Sequence, residues 1–496
     1  MGASRNIAKN TILLIVGLYS GRLLALFLRE KMTFILGPEG IGIWTFAVAV
    51  TGIMQTVSNF GLGNLLTREV AKSRAMTLPL FRTTLQIRWL VGAVCYAFLL
   101  GFAQVSDWEA LDKTVVLLMG LAIFVESTGL ACDAVLQAHE KVQYQSLAQV
   151  ASALLYFGLG WWALEAGYGI VGVVWANLAS RVIRLMVMMP LMFRFTGPWR
   201  RDGGGGSIDM RGLMQMGLPI FLATTFATVY TQIDSVMLKN MIDNEATGIY
   251  GQGRQALNIL VMLPGIFGLA FFPAMTRYGE KSPADAARLG ERALRFILVG
   301  IIPVTLLVMF ISGPIIHWFE DSSRWDDSIT VMMIGIWGLP LHAIAVVMNR
   351  LLLTANREKY FVVIGLIPMV ANLALNMVLI PRYSYYGAAV ATVLSLMMNT
   401  GMHIYFLRGT PFLPPLRRAL LGPVAAAGSA WGLSALVLRL VAPSWGVGWQ
   451  GLPLHLGWGP FIATSVLMLG LYPVMLWFGR VIKSEDLPLL RELKRS

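Results

Sequence analysis

Five arginines of this chain fall within long apolar stretches, where a charged side chain is costly. They are Arg22, Arg181, Arg184, Arg254 and Arg350. On insertion scales, a charge at the centre of a bilayer costs at least ~2.5–3.5 kcal/mol, so each arginine needs a partner or a hydrated cavity. A guanidinium group offers a planar fork of N–H donors that binds phosphate in a bidentate manner. We therefore expect these arginines to bind an anion.

Helical spacing places several of the charges on shared faces. Arg181 and Arg184 are three residues apart, so they lie on one helical face, which Asn177 shares. Glu126 and Asp133 are seven residues apart on another helix, which separates them by about 10 Å at 1.5 Å per residue. The two carboxylates are candidates for binding H⁺ or Na⁺, or for balancing the charge of the arginines.

Three further charged residues each allow two interpretations. Asp234 is a third candidate for ion coupling or charge balance, and it also fits a plain ion pair with Arg254 at similar depth. Arg350 and Arg88 lie near predicted helix ends, from which a long side chain could reach water along the apolar surface. The arginines nearer the middle of their helices cannot easily do so, which favours a functional role for them.

The composition defines the class of protein that must position these charges. Of the 496 residues, 56% are apolar and only 13% are charged, about half the charged fraction of a typical soluble domain. Apolar runs of about 20 residues, each long enough to cross a bilayer, recur along the whole chain. This pattern excludes a soluble enzyme, a disordered chain and a disulfide-rich secreted domain. It predicts an all-α, polytopic membrane protein with about 14 transmembrane helices.

Basic residues are distributed unevenly between the loops on the two sides. With the N-terminus inside, the inner segments hold 26 Lys and Arg residues and the outer loops hold six, among them Arg29 and Lys31. Loops rich in Lys and Arg stay on the cytoplasmic side of a membrane. We therefore expect both termini to be cytoplasmic. The same loops explain the net charge of +13 without a nucleic-acid partner.

Matching segments indicate an internal duplication of six helices. Three pairs match, at offsets of 206, 218 and 215 positions: 37–44 with 243–250, 138–141 with 356–359, and 172–176 with 387–391. Because six is an even number, both copies enter the membrane from the same side. Two parallel lobes follow, with a substrate site expected between them.

The duplication divides the chain into four predicted segments. They are an N-terminal lobe of six helices at 1–195, a cytoplasmic glycine-rich linker at 196–210, a C-terminal lobe of six helices at 211–408, and two added helices with a basic cytoplasmic tail at 409–496. The glycines of the linker predict a flexible connection between the lobes.

Four segments, in their order and spacing, resemble the polysaccharide transporter (flippase) family. They are residues 36–42 (LGPEGIG), 59–71 (NFGLGNLLTREVA), 232–238 (QIDSVML) and 387–391 (GAAVA). This family belongs to the multidrug/oligosaccharidyl-lipid/polysaccharide export superfamily. The resemblance implies two six-helix lobes, often with two added helices, and outward movement of undecaprenyl-diphosphate-linked sugars.

With the resemblance, the arginines predict a flippase rather than an enzyme. It would move lipid-linked oligosaccharide from the inner to the outer leaflet of the bacterial cytoplasmic membrane by alternating access, for cell-surface polysaccharide biosynthesis. The diphosphate would bind Arg22, Arg181 and Arg184, with contributions from Arg254 and Arg350. Expected partners are the lipid-linked substrate, membrane lipids, a polysaccharide polymerase and chain-length proteins.

Three other functions remain open. A cation-coupled multidrug exporter of the same superfamily would use Glu126, Asp133 and Asp234 to hold a cationic drug. A lipid II flippase would use the same diphosphate chemistry. A membrane polymerase or ligase would act on the same lipid. The sequence contains no phosphate-binding loop, zinc motif or hydrolase elbow. We expect no cofactor and no metal, apart from coupling to H⁺, Na⁺ or the membrane potential.

Overall fold

The chain folds into helices joined by short turns. The structure is a computed structural model that describes residues 2–196, 210–317, 323–441 and 458–478. The side chains of residues 2–20 and of Arg22 lie outside the described part. Within it there are helices and turns but no β-strand. The helices group into two compact units, Met1–Gly248 and Ile249–Ser496, called unit 1 and unit 2 below.

The described residues of unit 1 form seven helices and the first turn of an eighth. They are α1 (Gly2–Asn59), α2 (Leu62–Lys72), α3 (Thr77–Val105), α4 (Ala110–Ala138), α5 (Val142–Glu165), α6 (Gly169–Thr196), α7 (Met210–Met241) and the start of α8 (Asn244–Leu260). A turn of 3₁₀-helix, Arg74–Met76, precedes α3. The α8 helix begins in unit 1 and ends in unit 2.

Where the structure describes unit 2, it contains the rest of α8 and seven more helices. They are α9 (Met262–Lys281), α10 (Pro283–His317), α11 (Asp326–Gly335), α12 (Gly338–Thr354), α13 (Phe361–Leu407), α14 (Leu416–Val441) and α15 (Trp458–Phe478). Two 3₁₀ turns, Ser323–Trp325 and Glu358–Tyr360, precede α11 and α13. The last two helices pack on α10, where the hydroxyl of Tyr472 donates to the carbonyl of Val299 at 2.7 Å.

Nine helical segments of the described residues are long and apolar enough to cross a membrane. Two of them, Leu23–Lys72 and Glu358–Leu407, are 50 residues long, which is enough for two crossings each. Each is interrupted by a kink at a residue with positive φ, Gly37 (φ 65°) in the first and Ser384 (φ 50°) in the second. The predicted all-α, multi-pass membrane protein is confirmed. The total of 14 helices stays a prediction.

The lobe boundaries at 195 and 211 also stay a prediction. The division by packing lies farther along, at Gly248, because α7 packs along α1 of unit 1. Near one end of this contact, the rings of Phe60 and Phe221 stack with their centroids 4.5 Å apart. The predicted linker at 196–210 lies almost entirely outside the described residues.

Backbone geometry repeats at a constant spacing in the two halves. Glu140 (φ 60°) and Asn356 (φ 54°) end helices 216 positions apart, and Gly169 (φ 56°) and Ser384 (φ 50°) lie 215 positions apart. At the first pair, the following residue donates to the carbonyl five positions back in both halves. This spacing corrects the offset of 218 taken from the Glu-Lys sequence match. The turn geometry, rather than the side-chain identity, defines the equivalent positions.

The α4 helix lies at the centre of unit 1, in contact with α1, α2, α3 and α6. The residues near its C-terminal end are small or aliphatic and almost fully buried: Ala131, Cys132, Ala134, Val135 and Leu136. Small side chains at such positions let neighbouring helices approach closely. Charged residues on α4 are therefore surrounded by other helices of unit 1 rather than by lipid.

The helix ends that the basic residues assign to the outside are called outer ends here. At this end of unit 1, a buried polar cluster joins α4 to α7 and α8. The fully buried carboxylate of Asp112 accepts from Lys239 Nζ at 2.6 Å and from Asn244 Nδ2 at 3.1 Å. Beside it, Trp108 Nε1 donates to Asn240 Oδ1 at 3.0 Å. The cluster fixes the start of α8 to unit 1.

The first turn of α8 also lies directly against the backbone of α1. A Cβ atom at Gly42 would overlap the carbonyl of Asn244, and a Cβ atom at Gly248 would overlap the carbonyl of Pro38. The contact is backbone against backbone, so no flexible side chain can move aside to make room. Both positions therefore require glycine.

Substituting Gly42→Ala should lower the stability of the protein by ~1–3 kcal/mol, because the added methyl group overpacks this contact. The measurement is thermal unfolding of the purified protein in detergent. Gly101→Ala is the matched control, since nothing lies within 4 Å of its added Cβ. The control should be neutral, or stabilising by up to ~1 kcal/mol through its higher helix propensity. Equal melting temperatures for the two variants would contradict the close approach.

Candidate anion-binding site

Four of the eight predicted site residues come together between α4 and α6. Arg181 Nη1 lies 2.9 Å from Glu126 Oε2, and Arg184 Nη2 lies 2.5 Å from Asp133 Oδ2. Arg184 Nη1 also lies 3.8 Å from Glu126 Oε1, so Glu126 bridges the two arginines. The four side chains form alternating positive and negative charges within unit 1.

Helix geometry explains why these four residues meet. Two turns of an α-helix contain about seven residues, so Glu126 and Asp133 point to the same side of α4. Arg181 and Arg184, three residues apart, point to the same side of α6. The two helices pack against each other over much of their length, which brings the two charged faces together.

A third arginine extends this series from α3. Arg88 is fully buried, and its Nη1 donates to the carbonyl of Ser127 at 3.0 Å. It also interacts electrostatically with Asp133. We call the series Arg181, Glu126, Arg184, Asp133 and Arg88 the charge ladder. With all members ionised, three cations face two anions, which leaves one net positive charge.

Exposure falls steadily along the charge ladder. The exposed fraction of the side chain is 34% for Arg181, 21% for Glu126, 9% for Arg184 and 6% for Asp133. Arg88 is completely covered. A water-soluble group that reaches this site therefore meets Arg181 first and Arg184 next.

Polar neighbours connect the accessible end of the ladder to α1 and α5. Asn177 Oδ1 accepts from Arg181 Nε at 2.9 Å, and a side-chain hydrogen bond joins Asn177 to Tyr156. Tyr156 in turn interacts electrostatically with Arg29, whose Nη2 donates to Thr45 Oγ1 at 3.0 Å. The polar interior of unit 1 thus continues from the ladder to Arg29, which lies on α1 ahead of its break at Gly37.

Unit 2 carries two of the predicted arginines. The guanidinium carbon of Arg254 lies 6.0 Å from the ring centroid of Tyr250, and that of Arg350 lies 5.1 Å from that of Phe272. Arg350 Nε has no hydrogen-bond partner within the described residues. Neither arginine takes part in the ion pairs described for unit 2. Their positive charges face aromatic rings rather than carboxylates, which is a favourable but weaker interaction.

Two predicted residues remain, one on α1 and one on α7. Arg22 lies on α1, and its side chain is outside the described residues. Asp234 lies on α7 and is fully buried. The roles assigned to all eight residues stay predictions.

Arg29 and Arg88 are buried arginines that the predicted site residues do not include; the position predicted for Arg29 is wrong, and the interpretation in which Arg88 reaches water is excluded. Arg29 was expected in an outer loop, but α1 remains helical up to the break at Gly37 and buries it. The absence of Gly, Pro, Asn and Asp from residues 30–36 was the available signal for the longer helix. Arg88 does not reach water from a helix end. No feature of the sequence reveals its contact with the Ser127 carbonyl.

The duplication does not reproduce the charge ladder in unit 2. At the spacings of 216 and 215 positions, Glu126 corresponds to His342 and Arg184 corresponds to Asn399. The His342 imidazole lies near His403, which hydrogen-bonds the carbonyl of Asn399 through Nδ1 at 2.9 Å. The equivalent region of unit 2 is therefore polar, and the two halves of the protein have diverged in charge.

The ladder can exchange its anions. Phosphate and carboxylate oxygens accept hydrogen bonds from guanidinium groups in the same planar geometry. A phosphate group can therefore replace Glu126 or Asp133 on an arginine without loss of hydrogen bonds. A cationic ligand would need a free carboxylate, but both carboxylates of the ladder already contact arginines.

Two solved structures have a fold similar to that of this chain. A solved structure of the lipid II flippase MurJ in an inward closed conformation has a TM-score of 0.73 at 14% identity, covering 94% of this chain and 98% of its own. An inward-facing multidrug resistance MATE family transporter has a TM-score of 0.64 at 14% identity, covering 80% and 98%. Both likenesses concern the fold alone.

Two related proteins are distant in sequence but align with most of the chain. A Shigella flexneri protein named as an O-antigen transporter is 21% identical over 380 residues, which is 72% of this chain and 87% of that protein. A Haloferax volcanii protein named as a low-salt glycan biosynthesis flippase, Agl15, is 20% identical over 383 residues, covering 75% and 77%.

Two family models match the chain. The MatE model matches residues 219–378. The model described as polysaccharide biosynthesis protein matches residues 7–279, which is more than half of the chain. The resemblance drawn from the sequence motifs is confirmed, and the chain belongs to the polysaccharide biosynthesis protein family.

Proposed function

We propose that this protein is a flippase for undecaprenyl-diphosphate-linked oligosaccharide. It moves the lipid-linked sugar from the inner to the outer leaflet of the cytoplasmic membrane by alternating access, for cell-surface polysaccharide biosynthesis. The observation that carries the proposal is the charge ladder, which holds Arg181 and Arg184 inside a membrane-spanning unit on replaceable carboxylates. Membership of the polysaccharide biosynthesis protein family and the names of the relatives support it.

The diphosphate is the part of the substrate that needs these arginines. An ionised group in a medium of low dielectric constant costs tens of kcal/mol by Born solvation. Arg181 meets the diphosphate first because it is the most exposed member of the ladder, and Arg184 follows. Arg254 and Arg350 add two positive charges from unit 2. The polyprenyl tail stays in the lipid throughout.

The membrane potential favours the outward direction. With the inside negative, moving an anion outward is downhill by ~2.3 kcal/mol per charge per 100 mV. The basic inner loops support an orientation in the inner membrane with both termini cytoplasmic. A polysaccharide polymerase and chain-length proteins would then use the flipped product.

The multidrug exporter is the second candidate, and the MatE match supports it. It would use the carboxylates of Glu126, Asp133 and Asp234 to hold a cationic drug. The first two carboxylates are bound to arginines, however, and the ladder has a net positive charge. A lipid II flippase would use the same diphosphate chemistry. A polymerase or ligase would require reactive groups beyond the ion pairs described here.

Replacing Arg181 and Arg184 with glutamine should abolish flipping, and each single variant should lower it at least about tenfold. Each substitution removes a charge-assisted hydrogen bond worth ~1.5–3 kcal/mol. The measurement uses spheroplasts of a deletion strain carrying each variant. A membrane-impermeant probe labels the lipid-linked sugar that has reached the outer leaflet.

Arg68→Gln is the matched control for this experiment. Arg68 is an arginine of unit 1 whose side chain is 58% exposed on α2, outside the charge ladder. This variant should flip at the wild-type rate. Normal labelling with both ladder arginines replaced would remove them from the mechanism.

Substituting Glu126→Gln separates the flippase from the multidrug exporter. In a flippase this change frees Arg181 for phosphate, so flipping should persist at no less than about a third of the wild-type rate. In an exporter it removes a drug-binding carboxylate, so drug resistance should fall at least about tenfold. Minimum inhibitory concentrations and outer-leaflet labelling are measured on the same strains. Loss of resistance with unchanged labelling would favour the exporter.

A further inference from the structure

Arg88 is a charged group that the proposed substrate contacts do not use. Its side chain is fully buried at the far end of the charge ladder, so it is remote from the exposed Arg181. Its Nε and Nη2 atoms have no hydrogen-bond partner within the described residues. The Oδ1 atom of Asp133 likewise has none, and the two residues attract each other electrostatically. In the described part of the chain, a buried guanidinium with two unpaired N–H groups is therefore attracted to a buried carboxylate that has one unpaired oxygen.

The backbone holds Arg88 in place. Its Nη1 donates to the carbonyl of Ser127 at 3.0 Å, and its own carbonyl accepts from Ser58 Oγ at 3.0 Å. Ser58 and Ser127 are also joined through their hydroxyl oxygens at 3.1 Å. These contacts fix α3 to α1 and α4. Arg88 therefore cannot follow a substrate that moves.

Arg184 is held differently. Its described contacts are with the carboxylates of Asp133 and Glu126, at 2.5 Å and 3.8 Å, and its Nε has no partner within the described residues. A phosphate group can replace these carboxylates because it accepts the same hydrogen bonds. Of the two arginines beside Asp133, Arg184 is therefore the one that can be released to a substrate.

Release of Arg184 would leave Asp133 as a buried charge. Removing one partner of a buried ion pair is strongly unfavourable, since the remaining charge is neither solvated nor compensated. The side chain of Asp133 is only 6% exposed, so water cannot replace the lost guanidinium. Asp133 needs a second cation nearby for the exchange to take place, and Arg88 is in position to supply it.

We propose that Arg88 is a positioning residue that compensates Asp133 while Arg184 binds the diphosphate. Arg184 alternates between Asp133 and the substrate, while Arg88 stays bound to the protein and keeps the carboxylate neutralised. Arg88 itself does not contact the substrate. The inference rests on the proposed function, because it assigns Arg184 to the diphosphate of that substrate.

The test is a double-mutant cycle on the affinity for inorganic pyrophosphate. The full-length protein, purified in detergent, is titrated by calorimetry as wild type, Arg88→Gln, Asp133→Asn and the double variant. Arg88→Gln should bind about tenfold more weakly, the fold-change given by a coupling of ~1.4 kcal/mol. Asp133→Asn should bind at least as tightly as wild type, because it frees Arg184. The double variant should match Asp133→Asn within about twofold.

Two further variants keep the test decisive. Arg88→Lys retains the positive charge and should bind pyrophosphate within about threefold of wild type. If Arg88→Gln alone does not fold while the double variant does, compensation of Asp133 is supported directly. An equal loss of affinity with and without Asp133 would overturn the inference, since Arg88 would then contact the anion itself. Failure of the double variant to fold would overturn it as well.

The same proteins distinguish this inference from the proposed function. Suppose that the double-mutant cycle shows the expected coupling while the protein leaves lipid-linked sugar on the inner leaflet of spheroplasts. That combination would contradict the flippase and support the role of Arg88. Normal flipping with no coupling between Arg88 and Asp133 would contradict the role of Arg88 alone. Absence of pyrophosphate binding in the wild type would overturn both.

Discussion

The cost of placing a charge inside a membrane protein governs the structure of unit 1. Each arginine at depth requires a compensating group, and each carboxylate supplied for that purpose requires a cation in turn. The charge ladder satisfies both requirements by alternating the two signs between α3, α4 and α6. The helices must then be long, closely packed and fixed in register, because a shift of one residue would separate every pair. The small residues of α4 and the serine contacts between α1, α3 and α4 provide that register.

Much of this arrangement could be predicted from the sequence because it depends on local spacing. The faces shared by Arg181 with Arg184, and by Glu126 with Asp133, follow from 3.6 residues per turn alone. The all-α membrane class follows from the length and number of the apolar runs. The contacts between helices do not follow, since they depend on packing across the chain. Arg88 illustrates this, because its partner is a backbone carbonyl on another helix and no side-chain pattern records it.

The division of the chain into lobes shows the same limit of prediction from sequence. Sequence similarity divides the chain where one copy of a repeat ends, whereas contacts divide it where packing becomes sparse. The α7 helix opens the predicted second copy, yet it packs on α1 of unit 1, and the first turn of the α8 helix that follows it makes backbone contacts with α1 at Gly42 and Gly248. Glycine was visible at both positions, but only the fold shows that each lies against a carbonyl. The sequence match at Glu140 is displaced for a related reason. The two halves share a residue with positive φ at this helix end, whereas the side chains around it differ.

The graded exposure of the charge ladder gives unit 1 the character of an ion exchanger. Its fixed groups are guanidiniums and its resident counter-ions are carboxylates of α4. In the proposed function, a soluble anion would enter by displacing these carboxylates. An exchanger of this kind would select by valence, because a singly charged anion would displace Glu126 alone, whereas the diphosphate of the proposed substrate would span Arg181 and Arg184. The carboxylates of α4 would bind the arginines again once the soluble anion dissociates. Abundant monovalent anions of the cell would therefore pass the site without emptying it.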